Sequence, residues 1–154
     1  MATLPLTEGL FTWPDADPVL LGGQCPACSA ITFPTRSGCP RCGSTGLTEY
    51  RLAKTGVLWS WTSQGFMPKA PFVGEFASSE PFEPWFVGVV ELPGELRLES
   101  ILVGCTQATL RIGMPMRLDI MPFRIDDAGN QIVTYAFRPA PVTAPTDTKE
   151  AGRA

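Results

Sequence analysis

From Val57 to Gln64 apolar and polar side chains alternate, which predicts a strand with Val57, Trp59 and Trp61 on one face and Leu58, Ser60 and Thr62 on the other. Comparable runs at Phe86–Leu92, Leu96–Val103, Met116–Phe123 and Ile132–Phe137 predict four more strands. Pro93-Gly94-Glu95 supplies the turn residues of a hairpin between the second and third, and Asp126-Asp127-Ala128-Gly129-Asn130 supplies another between the fourth and fifth. Gln107 to Gly113 has room for one short helical turn. The period-two spacing of Trp59 and Trp61 places both in the core rather than on an exposed stacking platform.

Five strands with a short element after the third is the order of an OB-fold barrel. Ahead of them, Asp17-Pro18 reads as a helix start, Val19-Leu20-Leu21 as its apolar run, and Gly22-Gly23 as its stop. Residues 1–24 are therefore expected to form an arm with one or two short helices carrying Leu10, Phe11, Trp13, Leu20 and Leu21. An apolar arm of this kind folds back on its own chain or covers a partner, and the sequence favours a partner slightly. Residues 65–85 interrupt the strand pattern with four prolines and six large apolar side chains, Phe66, Met67, Phe72, Phe76, Phe82 and Trp85. Disordered segments are poor in aromatics, so this long connection is expected to bury against the barrel mouth, a ligand or another subunit. The Pro-, Thr- and Ala-rich tail is expected to be flexible. The division is an arm (1–24), a ribbon (25–50), a barrel (51–140) and a tail (141–154).

The candidate chemistry lies in the ribbon. Cys25-Pro26-Ala27-Cys28 is followed after ten residues by Cys39-Pro40-Arg41-Cys42. Two residues between thiols let one tight turn present both sulfurs to a single ion, and two such turns complete a tetrahedron of thiolates at about 2.3 Å. Cys25, Cys28, Cys39 and Cys42 are thus predicted to hold one structural zinc ion, with iron the alternative for a four-thiolate site. Four protein ligands leave no position for water or substrate, so the ion should support folding rather than catalysis. Cys105 follows the apolar run Ile101-Leu102-Val103 and reads as a packed thiol.

Composition narrows the function further. The chain has 154 residues, 44% of them hydrophobic and 18% charged, a globular balance with no apolar run near the roughly 20 residues of a membrane span. Residues 1–24 lack the basic start and apolar core of a secretory signal, so a reducing cytoplasm is expected and the CxxC pairs are read as ligands, not disulfides. Histidine is absent, which removes the commonest general base. A formal charge of -3 without a basic stripe argues against nucleic-acid binding.

The residues also resemble a known family, the acyl-CoA-associated proteins that join a rubredoxin-like zinc ribbon to an OB-fold. Beyond the cysteines, the likeness rests on Phe33-Pro34, Gly56-Val57-Leu58-Trp59-Ser60-Trp61-Thr62, Val87-Gly88-Val89-Val90-Glu91-Leu92, Leu110-Arg111-Ile112-Gly113-Met114-Pro115-Met116 and Phe137-Arg138-Pro139, and spans about residues 8–140. The resemblance implies a noncatalytic accessory subunit bound to a thiolase-fold, sterol-carrier-type aldolase, thiolase or acyltransferase, with an acyl-CoA thioester at or near the interface. Complexes of that family carry out retro-aldol cleavage of steroid side-chain thioesters, thiolysis in aromatic degradation, or acyl transfer onto phloroglucinol-type acceptors. Gly65-Phe66-Met67-Pro68-Lys69 looks most like members that accompany degradative aldolases and thiolases. If CoA lies across the barrel, its phosphates need cations, for which Lys69, Arg97, Arg111, Arg117 and Arg138 are the candidates. Two other readings stay open at this point: a nucleic-acid-binding ribbon and OB module, and a small iron electron carrier.

Overall fold

A computed structural model describes residues 1–75 and 80–141. Its strands are β1 (Thr3–Pro5), β2 (Leu21–Gln24), β3 (Ile31–Thr32), β4 (Thr48–Arg51), β5 (Thr55–Gln64), β6 (Trp85–Leu92), β7 (Leu96–Leu102), β8 (Pro115–Ile125) and β9 (Gln131–Pro139). β3, β2 and β4 form a small antiparallel sheet that carries the cysteines. β5 to β9 form the barrel, and β1 extends its sheet at β9. β5, β6 and β7 run as an antiparallel meander, β7 meets β9 in parallel at Leu102 and Phe137, β9 pairs with β8, and β8 returns to β5 through Thr55 and Arg117. The expected mainly β architecture, ribbon first and five-stranded closed barrel second, is what these ladders build.

The barrel closes because its inward positions are large and apolar. Leu58, Val90, Leu92, Met116 and Phe137 are essentially inaccessible to solvent and share one cluster with Phe11, Leu20 and Leu52. Gly56 stands where β5 passes from pairing with β6 to pairing with β8. A Cβ there would lie 2.3 Å from the Glu91 carbonyl oxygen, closer than two such atoms can approach, so the strands cross only because this residue has no side chain.

Two expectations are corrected, the first of them the direction of Trp59. Pairing slips between Leu58, opposite Val90, and Ser60, opposite Val89, which makes Trp59 the extra residue of a β-bulge. The bulge reverses the alternation beyond it. Trp61 then shares the inner face with Leu58 and packs edge-on against Phe86 at 5.8 Å, whereas Trp59 is turned outward, 48% exposed, under the Arg97 guanidinium.

The helical arm is the second correction, since no α-helix is assigned among the described residues. Val19-Leu20-Leu21 is too short to offset the cost of nucleating a helix. The arm instead finds backbone partners in the barrel and ribbon. β1 adds in parallel to β9, with Thr3 opposite Gln131 and Pro5 opposite Val133, and Phe11 bridges Leu20. The Trp13 indole N–H donates to the Thr3 carbonyl at 3.0 Å. Phe11 and Leu20 are buried, so this part of the arm packs on its own chain. Between β7 and β8 a single turn closes, the Leu110 N–H donating to the Thr106 carbonyl, and it does not extend into a helix.

Within the long connection between β5 and β6, Phe72 stacks on Trp85 at 6.1 Å and meets Phe123 edge-on, so part of this segment does bury against the barrel. Phe76, and the tail from residue 142, lie outside the described residues.

Candidate functional site

Each half of the cysteine constellation is a turn closed by its own backbone. The Ser29 N–H donates to the Cys25 carbonyl at 2.9 Å and the Gly43 N–H to the Cys39 carbonyl at 2.9 Å. Returning bonds, Cys25 N–H to Ala30 O and Cys39 N–H to Ser44 O, complete two near-identical loops. The fifth residue of each loop takes the left-handed conformation, Ser29 at φ 59° and Gly43 at φ 77°. That conformation turns the chain so that amides, rather than carbonyls, face the sulfurs.

Glycine adopts it freely, whereas serine pays about 1–2 kcal/mol. Ser29 is exposed. Ser29→Gly is therefore expected to raise stability by up to about 1 kcal/mol after the extra entropy of an unfolded glycine, read from urea unfolding of the metal-loaded protein. A loss of stability instead would mean that the serine hydroxyl has a role in the loop.

The loops bring the four sulfurs within 4.8 Å of one another, with Cys25 Sγ 3.6 Å from Cys42 Sγ and Cys28 Sγ 3.7 Å from Cys39 Sγ. A disulfide would need about 2.05 Å. A tetrahedron with metal–sulfur bonds of about 2.3 Å has edges of about 3.8 Å, so the spacing is that of thiolates around one ion. The four cysteines are arranged for metal binding, and a set of four soft donors suits zinc or iron.

Electrostatics divides the thiols. The Ser44 hydroxyl, 3.3 Å away, and the Ser44 amide hold Cys42 down at about 6. Backbone amides of Cys42 and Arg41 also lower Cys39. Cys28 is moved the other way: the Ala30 amide pulls it down, but burial and the other three sulfurs together push it up to about 12. A dication entering this cluster displaces any thiol proton.

The ribbon is fixed to the barrel by Glu95, at the tip of the β6–β7 hairpin. Its carboxylate accepts from the Ala53 N–H at 2.9 Å and from the Tyr50 hydroxyl at 3.1 Å. Neither partner is near Glu95 in sequence, so no local motif announced this link. Lys54 adds an ion pair with Asp17 of the arm.

The five candidate cations are not gathered at one place. Arg97 pairs with Glu91 at 2.5 Å, covers Trp59, and lines a hollow of about 540 Å³ whose other charged walls are Glu91 and Glu95. Arg111 donates to the Leu110 carbonyl in the turn before β8, and Lys69 sits on the long connection. Arg117 and Arg138 are register partners across β8 and β9, with Arg138 also on Asp119 at 2.7 Å. Cys105 is half-buried against the core, and burial raises its pKa, as expected of a packed thiol. Among the described residues no helix is long and apolar enough to cross a membrane.

Two family models match consecutive segments of the chain. Residues 12–48 match the ChsH2 rubredoxin-like zinc ribbon domain and residues 49–120 the ChsH2 C-terminal OB-fold domain. A chain of the solved Ltp2-ChsH2(DUF35) aldolase is 30% identical and superposes with a TM-score of 0.58 over 79% of this chain and 84% of its own. The chain belongs to the ChsH2 family. Among further relatives, a DUF35 domain-containing scaffold protein of Methanocaldococcus jannaschii is 24% identical over 80% of this chain and 82% of that one. A Thermomonospora curvata protein described as a probable enoyl-CoA hydratase alpha subunit is 31% identical over 76% of this chain, which spans only 32% of that longer protein.

Proposed function

We propose that this ChsH2-family chain is a noncatalytic subunit that binds a thiolase-fold enzyme and supports its action on an acyl-CoA thioester, by retro-aldol or thiolytic carbon–carbon cleavage in steroid side-chain or aromatic degradation. The reading is carried by the likeness, over 84% of its length, to a chain of the Ltp2-ChsH2 aldolase. The chain's own chemistry supports it. Carbon–carbon cleavage needs a base and a stabilised enolate, whereas this chain has no histidine and one thiol outside the ribbon, raised in pKa and packed on the core. The ribbon's role is architectural: Cys25, Cys28, Cys39 and Cys42 hold zinc, which supplies folding energy, and Glu95 transmits the ribbon's position to the barrel. Phosphate contacts to CoA from this chain fall to Arg117 and Arg138, the two candidates that stand side by side, with Lys69, Arg97 and Arg111 more distant contributors.

The test is an affinity purification of the tagged, metal-loaded chain from its native cells, with turnover of acyl-CoA thioesters measured on the chain alone and on what it recovers. A thiolase-fold enzyme is expected in near-stoichiometric amount, and turnover only in the complex. Recovery of no such enzyme by a folded chain rejects the partnership. Thioester cleavage by the rigorously purified chain rejects the noncatalytic role.

A further inference from the structure

The segment between β5 and β6 buries one set of apolar side chains and displays another. Its base is fixed to the barrel: Phe72 stacks on Trp85 and abuts Phe123, and the Gln64 side-chain amide donates to the Phe66 carbonyl at 2.7 Å. Beyond these anchors Phe66 is 72% exposed, Met67 48% and Val73 58%. Three large apolar side chains within eight residues, held out on an anchored loop, have the composition of an interface centre, where aromatic residues and methionine are enriched.

The flanking charge is one-sided. Lys69 is the sole cation described between residues 65 and 84, against Glu75, Glu80 and Glu83. An apolar centre with an acidic rim is complementary to an apolar hollow with a basic rim. Nucleic acid does not fit, because its phosphates would face the glutamates.

We propose that Phe66, Met67 and Val73 are the docking tip by which this chain seats in an apolar, basic-rimmed hollow on its thiolase-fold partner. This rests on the partnership proposed above and adds the element that makes it. Anchoring explains why a loop serves: the entropy of ordering the tip is already met by the Phe72–Trp85 stack, so little is lost on association.

The experiment measures affinity between the full metal-loaded chain and the thiolase-fold enzyme it recovers, identified by mass spectrometry, for wild type, Phe66→Asp, Met67→Asp and Ile112→Asp. Ile112 is 64% exposed on a different loop and serves as the surface control. Metal content and melting temperature establish that each variant is folded. Phe66→Asp and Met67→Asp are expected to weaken binding about tenfold or more, as interface anchors do, with Ile112→Asp within about twofold of wild type. Glu80→Lys is expected to weaken binding in low salt and to lose that effect near 0.5 M salt, as for a rim charge. Wild-type binding that survives Phe66→Asp and Met67→Asp unchanged overturns the docking tip and leaves the partnership standing. So does an equal loss in Ile112→Asp. A wild-type chain that binds no thiolase-fold enzyme overturns both.

Discussion

Cys25→Ser or Cys39→Ser is expected to reduce bound metal from about one ion per chain to almost none and to unfold the ribbon, leaving the barrel largely intact. These two ligands are the buried pair, and each begins a loop whose backbone bonds return to its own carbonyl. A serine oxygen is a harder, more basic ligand that stays protonated, so three sulfurs are left around the ion. The ribbon has little else to hold it: β3 is two residues long, and the apolar contacts of β2 and β4 lie mostly on the barrel side, through Leu20, Leu52 and Tyr50. Structural zinc contributes about 10–16 kcal/mol in ribbons and fingers of this size, far more than any one side chain here.

Acid should imitate the substitution. Cys42, held at about 6 in the metal-free cluster, is ready as a thiolate at neutral pH, and a bound dication keeps the sulfurs deprotonated further still, so metal is retained at neutral pH and released only on acidification below about 6. Elemental analysis, a metal-release dye and amide exchange across residues 25–48 provide the readouts. A variant with full metal and an unchanged melting temperature would show that the four sulfurs are not the ligands.

Phe137→Ala is expected to cost the barrel about 3–5 kcal/mol, the usual loss for a fully buried phenylalanine. Its side chain is wholly inaccessible, and its backbone sits at the seam where β9 meets β7: the carbonyl accepts the Val103 N–H at 2.9 Å, and Leu102 and Leu118 are its register partners. A cavity there removes packing from both sides of the one parallel contact that closes the barrel. Against typical domain stabilities of about 5–15 kcal/mol, that is a loss of at least about a fifth of the total. Urea unfolding followed by tryptophan fluorescence measures the change. A shift under about 1 kcal/mol would place the seam's stability elsewhere.

The parts that were legible share a local cause. The five barrel strands appear within about three residues of their predicted ends because each alternates apolar and polar positions and is bounded by turn residues such as Pro93-Gly94-Glu95. That turn is present, closed by the Glu95 N–H on the Leu92 carbonyl. The cysteine cluster was legible because a CxxC loop fixes the separation of its own sulfurs within a few bonds. What was misread depended on distant chain. β1 is three residues with no strand signal, and exists because the edge of β9, 128 residues away, offers it hydrogen bonds. Trp59 was placed in the core because a period of two cannot reveal an inserted residue, and only the pairing of Leu58 with Val90 and Ser60 with Val89 exposes the bulge.

By itself, then, the sequence determined a tetrathiolate ribbon followed by a five-stranded barrel, and the absence of the side chains that most often act as bases. Both are properties of composition and short-range spacing. Tertiary structure alone decided that the arm seals its own barrel, that Glu95 joins ribbon to barrel, that Arg117 and Arg138 stand together while the other candidate cations are scattered, and that Phe66, Met67 and Val73 face outward. These follow from which segments compete for the same backbone edges and the same buried volume, a competition settled only when the whole chain is folded.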